Sequence, residues 1–532
     1  MATVNRHGYA AGQQITKRLD ALGDADHVHS RFAGVPWWFL RVYVVAGGVW
    51  GLTTTHTVMF AFVLRRIQDD IPLSTGQKSM LTASLMLGAF IGSFVFGYIA
   101  DSCGRRHALL IAFVIAHIGG ALTMASPSME VLTTFRFIAG LGLGGVQPVI
   151  LALIMELAPA KVRGRTLAYL ELFWTIGMLV AVLIGRELGP IIGWRATFGF
   201  HGFALLYTFF IYNYVPESPK WLATIGRFDE AVRVLRGIES ACSVYLEEAA
   251  DAPIIDPAGQ EGDGSRAGAF MIQTTPLSFF KFIANRFRIL LRYPYLSRTL
   301  VLWVTFLGLA LVEHIMDIYL TGLFLRESSV LRDKLIVVYG VIVTQFPGGL
   351  IAGFLIDRIG RKYTVIGSLF LMSIGFLLEA YVTPSMFSLF VSGTCRSLGL
   401  TSAWGSLYAY TPELYPISVR IMGISYAWGL NYFGAFAGPY SIIWMVDHWH
   451  FRLTTVMWML VSILLVVIVV LFFFGIETAH KDSDKWDYKA PSSMSTLGST
   501  ATTTNLAMHG GVDAYTKHAD EEKTPVKTFF LV

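Results

Sequence analysis

Gly97-Tyr-Ile-Ala-Asp101-Ser-Cys-Gly104-Arg105-Arg106 has a counterpart in Gly353-Phe-Leu-Ile-Asp357-Arg-Ile-Gly360-Arg361-Lys362, with every matched position displaced by 256 residues. Each copy follows a long apolar run. A second pair, Glu156-Leu-Ala-Pro159-Ala-Lys-Val-Arg163 and Glu413-Leu-Tyr-Pro416-Ile-Ser-Val-Arg420, is displaced by 257, and Arg136 and Arg396 by 260. One match would mean little; three in the same order mean an internal duplication.

Around these motifs the chain divides by hydropathy. A helix crossing a bilayer needs about 20 apolar residues. Such runs lie near 38–64, 79–100, 107–126, 131–157, 166–185 and 196–215, and again near 299–325, 335–356, 363–383, 386–411, 421–446 and 453–475. The expected fold is an all-α membrane protein with twelve transmembrane helices in two pseudo-symmetric six-helix bundles, 38–215 and 299–476. Residues 1–37 form a polar N-terminal segment, 216–298 a central loop, and 477–532 a polar, Ser/Thr-rich tail expected to be disordered.

Composition agrees. Of 532 residues, 54% are hydrophobic and 14% charged, with a mean hydropathy of +0.57, whereas soluble domains sit nearer a quarter charged. The net charge of +5 has no basic stripe behind it, so it points to the lipid surface and not to nucleic acid. Cys103, Cys242 and Cys395 are far apart and lack metal spacing. No metal site and no cofactor are expected, and no nucleophile–base pair or phosphate loop suggests an enzyme.

Within Pro276–Arg292 the residues Phe279, Phe280, Ile283, Phe287, Leu290 and Leu291 share one helical face, with Lys281, Arg288 and Arg292 opposite. This helix either lies in the membrane interface or packs on the ends of the spans.

The repeated motifs read as gates. The glycines allow tight turns and close helix approach, and the acids and bases can make charge-assisted bonds on one face of the membrane. Bonds present when that face is closed and broken when it opens set the balance between states. The gating set is Gly97, Asp101, Gly104, Arg105, Arg106, Arg136, Glu156 and Arg163 in the first half. Asp357, Gly360, Arg361, Lys362, Arg396, Glu413 and Arg420 form it in the second.

Gly97–Arg106 resembles the signature loop of the major facilitator superfamily, and Arg136-Phe-Ile-Ala-Gly140-Leu-Gly142-Leu-Gly144-Gly145 resembles its fourth-span motif. Pro216-Glu-Ser-Pro-Lys-Trp-Leu-Ala-Thr-Ile-Gly226-Arg227 is similar to the motif after span six of sugar and organic-ion transporters. Glu171-Leu-Phe-Trp174 together with Pro412–Arg420 is similar to the organic ion, nicotinate-type and synaptic-vesicle-glycoprotein-like branch. The resemblance covers roughly residues 38–478 and implies alternating access around a central cavity.

Ionisable residues inside spans are functional hypotheses by default. These are Glu171, Glu313, Asp317, Glu379, Arg136 and Arg396, with His56, His117, His201 and His314 able to titrate. His56 and Glu313 are displaced by 257, so they are repeat partners. The resemblance implies that both line the cavity, and that His56 stands where related symporters carry an aspartate. Glu313 and Asp317 share a helical face, where two carboxylates in low dielectric do not both ionise easily. Glu171 is expected to pair with Arg136 or to face the cavity. Trp174, Trp404, Trp428 and Tyr432, with Gln147, Gln345 and Asn431, suit a planar or cationic organic solute.

The expected activity is secondary transport of a small organic solute, cationic or zwitterionic, with protons as the coupling ion. The alternatives are an aromatic monocarboxylate of the nicotinate kind held by Arg136 or Arg396, a sugar, or a non-transporting receptor on the same scaffold. Both termini are expected to be cytoplasmic, the membrane to be the plasma membrane, and the working unit to be a monomer. Charge is nearly balanced between the two sets of short loops, so this orientation rests chiefly on the motifs.

Overall fold

A computed structural model describes residues 14–22, 31–32, 35–242, 276–326, 331–381, 386–449 and 453–479. Apolar length makes the spans: in lipid a helix satisfies its own backbone, so the hydrophobic runs fold as crossings. The first half crosses on Trp37–Asp70, Thr75–Cys103, Arg105–Leu122 and Met129–Leu157. Its fifth span is built from Ala160–Ala168, Leu170–Val182 and the π-helical turn Leu183–Leu188. Its sixth runs from Gly189–Ala204 to Thr208–Tyr214. The second half crosses on Leu296–Arg326, Leu331–Leu355, Arg361–Tyr381, Met386–Glu413, Ile417–Trp449 and Leu453–Phe474. Among the described residues, seven helical stretches are long and apolar enough to cross on their own. One of these, Ala160–Tyr214, breaks at Gly193 (φ 81°) and covers two crossings.

The fourth-span glycines let two helices touch. A Cβ at Gly140 or Gly144 would run into the backbone of span two, at Leu85 and Ala89. Close backbone approach is how helices pack where lipid gives them no hydrophobic incentive.

The central loop carries more structure than the amphipathic pattern at 276–292. Pro219–Thr224 and Phe228–Ala241 are helical, and the second buries Ala231, Leu235 and Ile238. Helix Pro276–Leu290 packs on the ends of the spans: Leu290 is buried, Phe287 lies against Trp303 and Tyr426, and the Arg286 guanidinium donates to the Ser418 carbonyl at 3.0 Å. The side chains of Phe279, Phe280 and Lys281 lie outside the described residues, as do the loop residues 243–275.

The N-terminal segment is also docked. Residues 14–22 form a helix with Ile15, Leu19 and Leu22 buried. Arg18 forks onto Glu239 at 2.8 and 2.9 Å, and Asp20 accepts the Ala160 N–H at 2.8 Å. Residues 1–13 and 480–532 lie outside the described residues. A tail boundary at 477 is too early, because Glu477 and Thr478 are bonded into the motif face, as set out next.

Candidate functional site

Two copies of one charged device stand side by side on the motif face. In the first half, Arg105 ion-pairs with Asp101 (3.5 Å) one turn earlier and with buried Glu156 (3.3 Å), and donates to the Ala100 carbonyl. In the second half Arg361 does the same with Asp357 (3.5 Å), Glu413 (3.1 Å) and the Ile356 carbonyl. Each third or ninth span begins on a carboxylate: Glu217 accepts the N–H groups of Arg105 and Arg106, and Glu477 those of Arg361 and Lys362. An acid there suits the positive end of a helix. Thr478 Oγ1 completes the second copy by donating to Glu413 at 2.6 Å.

The two copies also hold the halves together. Arg165 reaches Asp357 (3.7 Å), Arg420 reaches Glu156 (4.0 Å), and Arg286 of the loop helix reaches Asp101 (4.0 Å). Gly97 lies against Ser425 and Met422, and Gly164 against Arg361 and Asp357. These contacts close the motif face. Arg163 is differently employed: it ties down Asp20 (3.6 Å) and the Ala158 carbonyl. Lys362 Nζ donates to the Phe472 carbonyl, and Arg106 to that of Tyr212.

Gly104 and Gly360 have φ of 103° and 97°, and the ψ of 158° at Gly104 puts it in a region essentially closed to other residues. Gly104→Ala is expected to destabilise the purified protein by about 1–3 kcal/mol, since the new Cβ also strikes Glu217. Thermal unfolding in detergent checks this; an unchanged midpoint contradicts it.

Between the halves lies a buried cluster of aromatic rings and acids. Trp404, Tyr408 and Trp428 stack with ring centroids 5.9–6.1 Å apart, walled by Phe306, Tyr432 and, from the first half, Trp50. Trp404 Nε1 donates to Glu313 at 2.9 Å, Tyr408 hydrogen-bonds Glu171, and the Tyr432 hydroxyl bonds Gln147. Glu171 Oε2, Gln345 Oε1, Asn431 Oδ1, Trp50 Nε1 and Trp428 Nε1 are buried with no hydrogen-bond partner. Unmet polar atoms in such a place call for a ligand or water.

The bases are elsewhere. Arg396 pairs with Glu379 at 3.4 Å inside the second half. Arg136 donates to the Leu81 carbonyl and lies 3.5 Å over the Phe60 ring, so it does not meet Glu171. His56 is also separate from Glu313: it packs between His117 and His201 inside the first half. Repeat symmetry matches backbone positions, and the side chain turned toward its own bundle. His314 bonds the Ala310 carbonyl, and Trp174 is half-buried. The side chain of Asp317 lies outside the described residues.

Trp50, Phe306 and Tyr408 were not singled out by sequence, although Tyr408 lies one helical turn from Trp404. Glu217 stands inside a recognisable Pro-Glu-Ser-Pro motif, whereas Glu477, its equivalent at a displacement of 260, follows the last apolar run with no such motif around it.

The family described as "Sugar (and other) transporter" matches residues 42–489. The chain belongs to that family. The transporter is 30% identical over 423 residues to "Niacin transporter NiaP" of Acinetobacter baylyi, covering 79% of this chain and 90% of the relative. It is 27% identical over 476 residues to "Organic cation/carnitine transporter 7" of Arabidopsis thaliana, covering 83% and 92%. Among solved structures it matches the major facilitator superfamily proton:xylose symporter XylE bound to 6-bromo-6-deoxy-D-glucose, with a TM-score of 0.68, 20% identity, and coverage of 85% and 98%. The transporter is thus a multi-pass membrane protein with the major facilitator fold that moves small organic solutes by secondary transport, and it is not an enzyme.

Proposed function

We propose that the transporter carries an organic cation or zwitterion, its positive nitrogen caged by Trp404, Tyr408 and Trp428 and neutralised by Glu313 and Glu171. One observation carries this reading: among the described residues the interface cluster holds two carboxylates and unmet acceptor oxygens, while the span arginines are engaged elsewhere. Aromatic faces attract cations, more strongly once desolvated. A carboxylate pair can be neutralised by a proton or by a cationic substrate, and exchange between the two supplies proton coupling. The motif face is then the cytoplasmic one, closed here by ion pairs that must break for release. The relative named as a niacin transporter supports a second reading, an aromatic monocarboxylate entering with a proton.

Uptake into proteoliposomes decides between them. A labelled quaternary ammonium, a betaine, nicotinate and glucose are presented with and without a pH gradient. Accumulation of the ammonium or betaine, abolished by a protonophore, is expected. Accumulation of nicotinate alone would establish the second reading, and binding without accumulation of any solute would indicate a receptor.

A further inference from the structure

His56 on span one, His117 on span three and His201 on span six meet inside the first-half bundle, 61 and 84 residues apart along the chain. Their side chains are 2%, 0% and 0% exposed. One ring nitrogen from each lies within 4.8 Å of the others. The His56 and His201 rings stack at 3.8 Å, and His117 stands edge-on to His56 at 4.9 Å.

Four nitrogens in this group have no hydrogen-bond partner: Nε2 of His56, Nε2 of His117, and both Nδ1 and Nε2 of His201. His201 is a buried imidazole with neither nitrogen partnered, and His56 and His117 each add an unmet buried nitrogen beside it, a cost that is hard to account for as packing alone. The tautomer of one is fixed. His117 Nδ1 lies 3.0 Å from the Phe113 carbonyl, so it carries the proton and the buried, unpartnered Nε2 keeps its lone pair. A histidine whose second nitrogen donates to a backbone carbonyl is the usual form of a metal ligand. The neighbouring backbone is cut to fit, because a Cβ at Gly120 would collide with His56 and His201.

We propose that His56, His117 and His201 bind a transition-metal ion of the zinc class, with the fourth position left to a water or hydroxide. Imidazole suits zinc, copper and nickel, and three histidines with an open position form a recurrent zinc site. Zinc–nitrogen bonds near 2.05 Å place ligand nitrogens about 3.4 Å apart in a tetrahedron. Reaching that from the observed spacing needs rotation of the stacked rings about χ2, a soft torsion in histidine. The Arg136 guanidinium, held by the Leu81 carbonyl and the Phe60 ring, is near enough for its charge to act on this group, and a hydroxide as fourth ligand would offset part of that repulsion. The ion ties spans one, three and six together, so the first half moves as one body during the cycle. Trp50 precedes His56 by six residues, about 9 Å along the helix, so the site is distinct from the interface cluster.

The test is cobalt titration of tag-free, chelator-stripped full-length protein. Tetrahedral Co²⁺ is expected to give intense visible absorption that saturates at about one equivalent and is displaced by Zn²⁺. His117→Gln and His201→Gln should each abolish the band, and His314→Gln should retain it, with gel filtration confirming that each variant is folded. Absence of the band in the wild type, or its survival in both cluster variants, overturns the assignment. Cobalt bound only weakly and without the tetrahedral spectrum also overturns it.

Discussion

Glu313→Gln is expected to abolish accumulation of substrate against a gradient, with the ratio of internal to external solute falling to about one. The side-chain amide keeps the volume, and its oxygen can still accept from Trp404 Nε1, so the aromatic wall stays in place. What disappears is the charge. A cation held by a charge-assisted contact loses about 1.5–3 kcal/mol when the partner is neutralised, which weakens binding about 10- to 150-fold. Exchange of labelled for unlabelled substrate should therefore persist once concentrations are raised by that factor. On the proposed exchange of proton for substrate at the carboxylate pair, coupling does not recover with concentration, because Glu171 alone cannot alternate between the two in the same way. Uptake and counterflow in the same proteoliposome preparation separate the two effects. A variant that still accumulates substrate to the wild-type level under a proton gradient removes Glu313 from the mechanism.

The fold was open to reading because its determinants are local. Twelve apolar runs and two displaced motifs need no knowledge of which helices touch, and Gly104 and Gly360 sit where their backbone requires glycine. The motif face was harder to complete. Glu217 sits in a recognisable Pro-Glu-Ser-Pro stretch, whereas its equivalent lies in Ile476-Glu477-Thr478-Ala479, where the flanking prolines are gone and only the carboxylate remains. At the interface, Glu313, Trp404, Trp428, Tyr432 and Gln147 are brought together from spans seven, ten, eleven and four. Glu313 was marked by its repeat displacement and by the resemblance, but choosing the aromatics and amides rested on residue type and mid-span position, which also selected the half-buried Trp174. The histidines show the limit most clearly. Residues 61 and 84 positions apart carry no signal that they converge, and the one pattern that included His56 tied it to Glu313 instead.

Arg361→Ala is expected to be the more damaging of the two changes to the protein itself. Arg361 and Glu413 are both nearly buried, and the guanidinium contacts Glu413 at 3.1 Å, Asp357 at 3.5 Å and the Ile356 carbonyl at 3.2 Å. Among the described residues, removing it leaves the Glu413 carboxylate with the Thr478 hydroxyl as its remaining short bond. Breaking a buried pair from one side costs about 3–5 kcal/mol, because the other charge stays buried without compensation. Thermal unfolding should show that loss. The double variant Arg361→Met with Glu413→Gln removes both charges at similar volume, and much of the stability should return. Transport should not return. Arg361 also lies against Gly164 of the first half, and Asp357 beside it is bridged by Arg165, so the guanidinium helps hold the closed motif face. A double variant that is stable yet slow has lost a bond that matters to one state of the cycle. Alkylation of Cys103, at the end of span two, reports that state directly once Cys242 and Cys395 are replaced by serine. Its rate should rise in the double variant as the face opens more often. If stability, labelling and transport all match wild type in the double variant, the second copy of the motif is a structural relic and gating rests on the first.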